Sequence, residues 1–183
     1  MSPYLAPLWL PGGHAQTVYA ALLAPRARVE YRRSRWDTPD GDFIDLDWQA
    51  GAAGAPLLVL FHGLEGSSLS HYALAFADWA RVHAWHCVVP HFRGCSGELN
   101  FAPRADHSGD HEEIDWVLQR LRLGHTGRIF GVGVSLGGNA LLRWAEEAGQ
   151  AASRSVQAIA AVCAPVDLAA SGHAIGRGFN RQT

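Results

Sequence analysis

The chain contains no lysine: all 15 of its basic residues are arginine. That absence excludes a P-loop lysine, a Schiff-base lysine and a serine–lysine dyad. Cysteine is scarce. Cys87, Cys95 and Cys163 form an odd set without C-x-x-C spacing. A reducing compartment is therefore expected, the cytoplasm, with Cys87 and Cys163 as small core residues. No Lys or Arg precedes Arg26, and Pro and Gly break the apolar stretch before it, so no signal peptide is expected. No apolar run reaches the roughly 18 residues that a transmembrane helix needs. Charge of one sign is also lacking. The net charge of −2 gives no electrostatic case for nucleic acid or an anionic membrane.

What is present suits a folded domain. The 183 residues are 48% hydrophobic and 17% charged, enough to build a core, and residues 1–183 are read as one domain. Residues 27–36 and 42–49 are predicted strands joined by the turn sequence "TPDGD" into an antiparallel hairpin. Ile44, Leu46 and Trp48 share a face there, and Phe43 is out of step. From Pro56 the pattern changes. "PLLVLF", "WHCVVP", "RIFGVGV" and "VQAIAAVCA" read as strands buried on both faces.

Helical spacing separates those strands. Leu69, Tyr72, Ala73, Phe76, Trp79 and Ala80 form one predicted face. Ile114, Val117, Leu118 and Leu121 form a second, on a helix starting near Asp110 with Glu113 completing a capping box. Leu136, Ala140, Leu141 and Trp144 form a third. Alternating strands and helices imply the α/β class: a mostly parallel sheet, helices on both faces, right-handed crossovers.

Gly133-Val134-Ser135-Leu136-Gly137 fits G-x-S-x-G between a strand and a helix. A nucleophile elbow holds its serine in a strained backbone and needs small neighbours, which Gly131, Gly133, Gly137 and Gly138 supply. The turn exposes the hydroxyl and sets the Leu136 N–H at a helix N-terminus, suited to an oxyanion. "FHGLEGSS" follows the first buried strand, and Leu64 is its expected second donor. Both stretches fall at the C-terminal ends of parallel strands, where ligands bind.

In order, "HGLEGS", "FRGCSG", "DHSGD", "GVSLGGN" and "APVDL", with "WLPGGHAQT" near the N-terminus, resemble the YheT-type branch of the α/β-hydrolases. The likeness covers nearly the whole chain. It implies an α/β-hydrolase sheet lacking its last strands and a serine esterase acting on carboxylic esters, acylglycerols among them, without a cofactor. Ser135 carries over as nucleophile, Leu64 and Leu136 as oxyanion donors.

In such hydrolases the acid and then the histidine follow the nucleophile, after further strands. Here Ser135 is followed by one strand, then Asp167 and His173, six residues apart. The triad histidine is expected outside this chain, which reads as part of a longer hydrolase with impaired activity. His62 is expected to shape the oxyanion loop. The last strand is expected to leave an apolar edge prone to self-association.

Rival readings stay open. An inactive fragment or binding module is one. A dinucleotide turn is another: Gly131 and Gly133 fit G-x-G, but Gly137 is one position late and the turn is not the first of the parallel run. His107 and His111, flanked by Asp106, Asp110 and Glu112, admit a metal site, with capping as the alternative. Tyr4, Trp9 and Tyr19 read as packing, with an acyl-binding wall as the alternative. Cys95 reads as structural.

Overall fold

The structure, a computed structural model, describes residues 5–101 and 111–175. Helix α1 (Gly13–Leu22) is followed by β1 (Arg32–Asp37), β2 (Phe43–Gln49) and β3 (Leu57–Phe61). Then come α2 (His71–Val82), β4 (His86–Pro90), α3 (His111–Gly124) and β5 (Ile129–Val134). Helix α4 (Leu136–Ala148), the short α5 (Ala152–Ser155), β6 (Ala158–Val162) and α6 (Leu168–Ile175) complete the order.

The six strands form one sheet in the order β1-β2-β4-β3-β5-β6. The hairpin pairs antiparallel, β2 pairs antiparallel with β4, and β4, β3, β5 and β6 run parallel. The expected α/β class with a mostly parallel sheet holds.

Strand pleating sends alternate residues of β3 to opposite faces. Leu57, Val59 and Phe61 meet Ile114, Val117, Leu118, Leu121, Leu141 and Trp144 on the α3–α4 side. Leu58 and Leu60 meet Ala73, Ala77 and Ala80 of α2 on the other. Helix α3 buries the face that its spacing predicts. Its expected start at Asp110 lies outside the described residues, as do Tyr4, Asp106 and His107.

Several details depart from expectation. Strand β1 begins at Arg32, not at residue 27. Strand β2 does not bury one face only: Asp45 and Asp47 are buried as well, because Arg35 and Arg33 stand directly opposite on β1 and fork onto them. Leu69 precedes α2 and is exposed; Trp79 is 44% exposed and stacks on His83 instead of entering the core. Cys163 is exposed, with φ of 52°, because β6 is an edge strand. Helix α1 was not foreseen. It buries no side chain, and Trp9 packs edge-on against Tyr19 while staying exposed.

Beside α2 the sheet carries an open apolar groove of about 510 Å³, lined by Leu58, Phe76, Trp79, Trp85, Phe130 and Ile159 among others. No described helix is long and apolar enough to cross a membrane.

Candidate active site

Strand β5 ends at Val134 and α4 begins at Leu136, so Ser135 alone turns the chain. Its backbone sits at φ 52°, ψ −116°, a conformation that costs a non-glycine residue about 1–3 kcal/mol and must be held by its surroundings. The neighbours hold it by closeness. A Cβ on Gly133 would lie 2.4 Å from the Gly137 carbonyl oxygen. One on Gly137 would lie 2.3 Å from the His62 oxygen, and one on Gly138 would lie 2.9 Å from the Gly133 oxygen. Only glycine fits these positions without moving backbone. The Ser135 N–H donates to the Val162 carbonyl at 2.9 Å, which ties the turn to β6. Ser135 is the residue before the helix, yet its hydroxyl makes no cap hydrogen bond. The hydroxyl is half-buried and uncommitted among the described residues.

The loop after β3 comes up against that serine. A Cβ on Gly63 would lie 3.3 Å from the Ser135 Cβ. His62 is fully buried. Its Nδ1–H donates to the Gly63 carbonyl at 2.7 Å, and its Nε2 accepts the Phe92 N–H at 3.0 Å. Burial pulls the imidazole down to about 4, against the opposing hydrogen bond to Gly63, so the ring is neutral and both nitrogens are engaged. The Gly63 N–H donates to the Tyr72 hydroxyl at 2.9 Å, and the Gly66 N–H closes a turn on the Gly63 carbonyl. Glu65 takes φ of 51° within that turn. Leu64, next to Gly63, is 68% exposed, so the loop presents it outward beside the elbow.

No family model matches the chain. It is 40% identical over 173 residues to YheT of Escherichia coli strain K12, whose name assigns it provisionally to the esterases; the match covers 92% of this chain and 50% of YheT. The chain is therefore similar to YheT over nearly its whole length. Human phospholipase ABHD3 is 29% identical over 150 residues, covering 77% of this chain and 37% of that protein. The chain thus spans about half the length of YheT and less of ABHD3. Among solved structures, the Pyrococcus furiosus esterase Pf2001 overlays with a TM-score of 0.63 at 18% identity, over 82% of this chain and 58% of that one. Mouse α/β-hydrolase domain-containing protein 10 gives 0.61 at 16% identity, over 78% and 54%. These overlays establish the fold.

After β6, the Pro165 carbonyl accepts the Asn139 Nδ2–H of α4 at 3.0 Å, but Asp167 and His173 bond within their own helix. The Asp167 carboxylate accepts the Ala170 N–H at 2.8 Å, capping α6. His173 donates from Nδ1 to the Ala169 carbonyl of its own helix, and no hydrogen bond joins it to Asp167. Cys95 packs against the core and its carbonyl faces His91, which fits the structural reading.

Residues the sequence did not single out complete the site. Tyr72 reads as one more apolar position on α2, yet its hydroxyl holds Gly63. Asp47 sits in β2 with nothing to mark it. It accepts Arg33 at both oxygens, the Ser68 hydroxyl at 2.6 Å and His91 Nε2–H at 2.8 Å. Burial alone would raise this carboxyl; the hydrogen bonds from Arg33, His91 and Ser68 outweigh it and hold the group well below the usual carboxylate range.

Proposed function

We propose that the chain carries the nucleophile and oxyanion hole of a serine hydrolase acting on carboxylic esters. The observation that carries this reading is Ser135: a strained, half-buried serine with an uncommitted hydroxyl, facing a glycine loop 3.3 Å away at the Cβ positions. In the reaction, Ser135 Oγ attacks the ester carbonyl carbon while a general base takes its proton. The carbonyl electron pair moves to the oxygen, which the Leu64 and Leu136 N–H groups receive. Collapse expels the alcohol with that proton and leaves an acyl-enzyme, and water then repeats the cycle to release the acid. The names of YheT and phospholipase ABHD3 support an ester or lipid substrate, acylglycerols included.

We assign the base elsewhere than to three histidines whose bonds commit them. His62 uses both nitrogens, His91 bonds Asp47, and His173 bonds its own helix. Because YheT is about twice the matched length, its remaining sequence is the source we assign to the acid and base. Activity of residues 1–183 alone is then expected at only about 10³–10⁴-fold over water. We further place the chain in the cytoplasm.

Fluorophosphonate labelling with a p-nitrophenyl acetate assay tests this, with Ser135→Ala as control. Labelling confined to Ser135 supports the hydrolase reading. Ordinary turnover that Ser135→Ala abolishes would overturn the assignment of the base elsewhere. A folded chain that neither labels nor hydrolyses, here or joined to sequence matching the rest of YheT, would favour a binding module. An NAD titration with a binding signal would favour the dinucleotide reading.

A second reading rests on β6. Its residues are mostly exposed, it ends the sheet, and the apolar groove lies along it. We propose self-association through this edge. Sedimentation showing a monomer at every concentration would refute it.

A further inference from the structure

We propose that Asp47 is a positioning residue that holds the oxyanion loop against Ser135. This rests on the hydrolase reading, but its geometry does not. Asp47 lies on β2, two strands away from β3 in the sheet order, and is only 4% exposed. Nothing about strand pairing asks for a carboxylate there. A buried ion pair is weak support for stability, and an apolar group of similar shape often serves as well. What the carboxylate does instead is join two loops.

One arm runs through His91. Asp47 accepts its Nε2–H at 2.8 Å, and His91 is the first residue after β4. The next residue, Phe92, donates its N–H to His62 Nε2 at 3.0 Å. His62 in turn donates from Nδ1 to the Gly63 carbonyl at 2.7 Å. The other arm runs through Ser68, whose hydroxyl donates to Asp47 at 2.6 Å from within the same loop as Gly63. Two residues earlier, the Gly66 N–H bonds the Gly63 carbonyl at 2.9 Å. Both arms therefore end on one carbonyl, that of Gly63, whose Cβ position lies 3.3 Å from the Ser135 Cβ. Arg33 clamps the other side of the carboxylate, fixing its plane.

The same strand holds a control. Asp45 is 1% exposed and is forked by Arg35 as Asp47 is by Arg33, but among the described residues its carboxylate bonds none of the loop after β3. If burial and an arginine fork were the whole role, the two aspartates would behave alike.

The test compares Asp47→Asn, Asp45→Asn and Ser68→Ala with the unaltered chain. Amide hydrogen exchange is read across residues 62–68, alongside melting temperature and the rate of fluorophosphonate labelling at Ser135. Asp47→Asn is expected to speed exchange in that loop at least tenfold and, where the unaltered chain labels, to slow labelling by about 10²-fold. Asp45→Asn is expected to lower the melting temperature while leaving loop exchange at its original rate. Ser68→Ala, which keeps the His91 arm, is expected to speed exchange at Gly66–Ser68 alone, and it serves if Asp47→Asn does not fold. Equal loop exchange in the Asp45 and Asp47 variants, or an unchanged rate in folded Asp47→Asn and Ser68→Ala, overturns the proposal. Absent labelling in the unaltered chain fits a base supplied from elsewhere and leaves this proposal to be decided by exchange, which is read without it.

Discussion

Two loops flank Ser135, and they are held in opposite ways. On the β3 side, His62 and Ser68 are buried, both His62 nitrogens are bonded, and the loop is tied to β2, to the segment after β4 and to α2. On the β6 side, one bond, from Asn139 of α4 to the Pro165 carbonyl, ties the segment, while Val166 is 81% exposed, Leu168 is 45% exposed, and Asp167 and His173 spend their hydrogen bonds within α6. Under the proposed ester hydrolysis, the difference separates two parts of the reaction. Stabilising an oxyanion needs fixed donors that do not reorganise, and the first loop has the bonding to fix them. Moving protons needs a base aligned on the serine, and the second segment shows no such alignment. On that proposal, the half of the chemistry that depends on fixed donors is the half that the described residues tie down.

Glycine substitutions sharpen this contrast most. A Cβ on Gly137 would sit 2.3 Å from the His62 carbonyl and 2.4 Å from that of Phe61, both of them backbone atoms. Gly137→Ala is expected to destabilise the fold by about 3 kcal/mol or more, because neither partner can turn aside. Gly172, in α6, has nothing within 4 Å of its Cβ position. Gly172→Ala should be neutral or stabilising by about 0.5–1 kcal/mol, since alanine restricts the unfolded chain and suits a helix. Urea denaturation of both variants measures the pair, and similar losses at the two sites would erase the distinction between the flanks.

Acid should also act through the β3 side. The His62 value in the folded state, about 4, lies below its ordinary 6.5, so the unfolded chain binds the proton more readily. Stability from this group is full above pH 6.5 and is lost as pH falls from there to about 4. The loss amounts to about 3 kcal/mol. Denaturation midpoints across that range, compared with those of His62→Gln, check the sign. A wild-type chain whose stability rises on acidification through the window would contradict a neutral buried ring.

How far the sequence announces these features depends on how local their causes are. Helix α3 follows from the spacing of Ile114, Val117, Leu118 and Leu121 because an amphipathic period is written in adjacent turns. The elbow is legible for the same reason: its glycines lie within five residues of Ser135. Asp45 and Asp47 mislead because their partners stand on another strand, opposite in register and more than nine residues away. Tyr72 misleads because a single hydroxyl, not its apolar ring, is what the site uses. Trp79 and Cys163 misleadingly look like core, since periodicity marks an apolar face without saying whether anything covers it. Helix α1 follows a Gly12 with φ of 78° and has a weak apolar face that buries nothing, so its spacing carries little signal.

The smallest expected effect is the one that bears on the proposed location of the base. Asp167 caps α6 through the Ala170 N–H, and His173 bonds the Ala169 carbonyl within the same helix. Removing the cap in Asp167→Ala should cost about 1 kcal/mol, confined to α6 and read as faster amide exchange there. His173→Ala replaces an exposed side chain and should change stability by no more than about 0.5 kcal/mol. Neither variant should alter the rate at which Ser135 takes up a fluorophosphonate. A labelling rate that fell with both substitutions would mean that the segment after β6 swings onto the elbow in solution. Asp167 and His173 would then be an acid and a base supplied from a single loop, and the contrast between the two flanks of Ser135 would reduce to a difference in mobility.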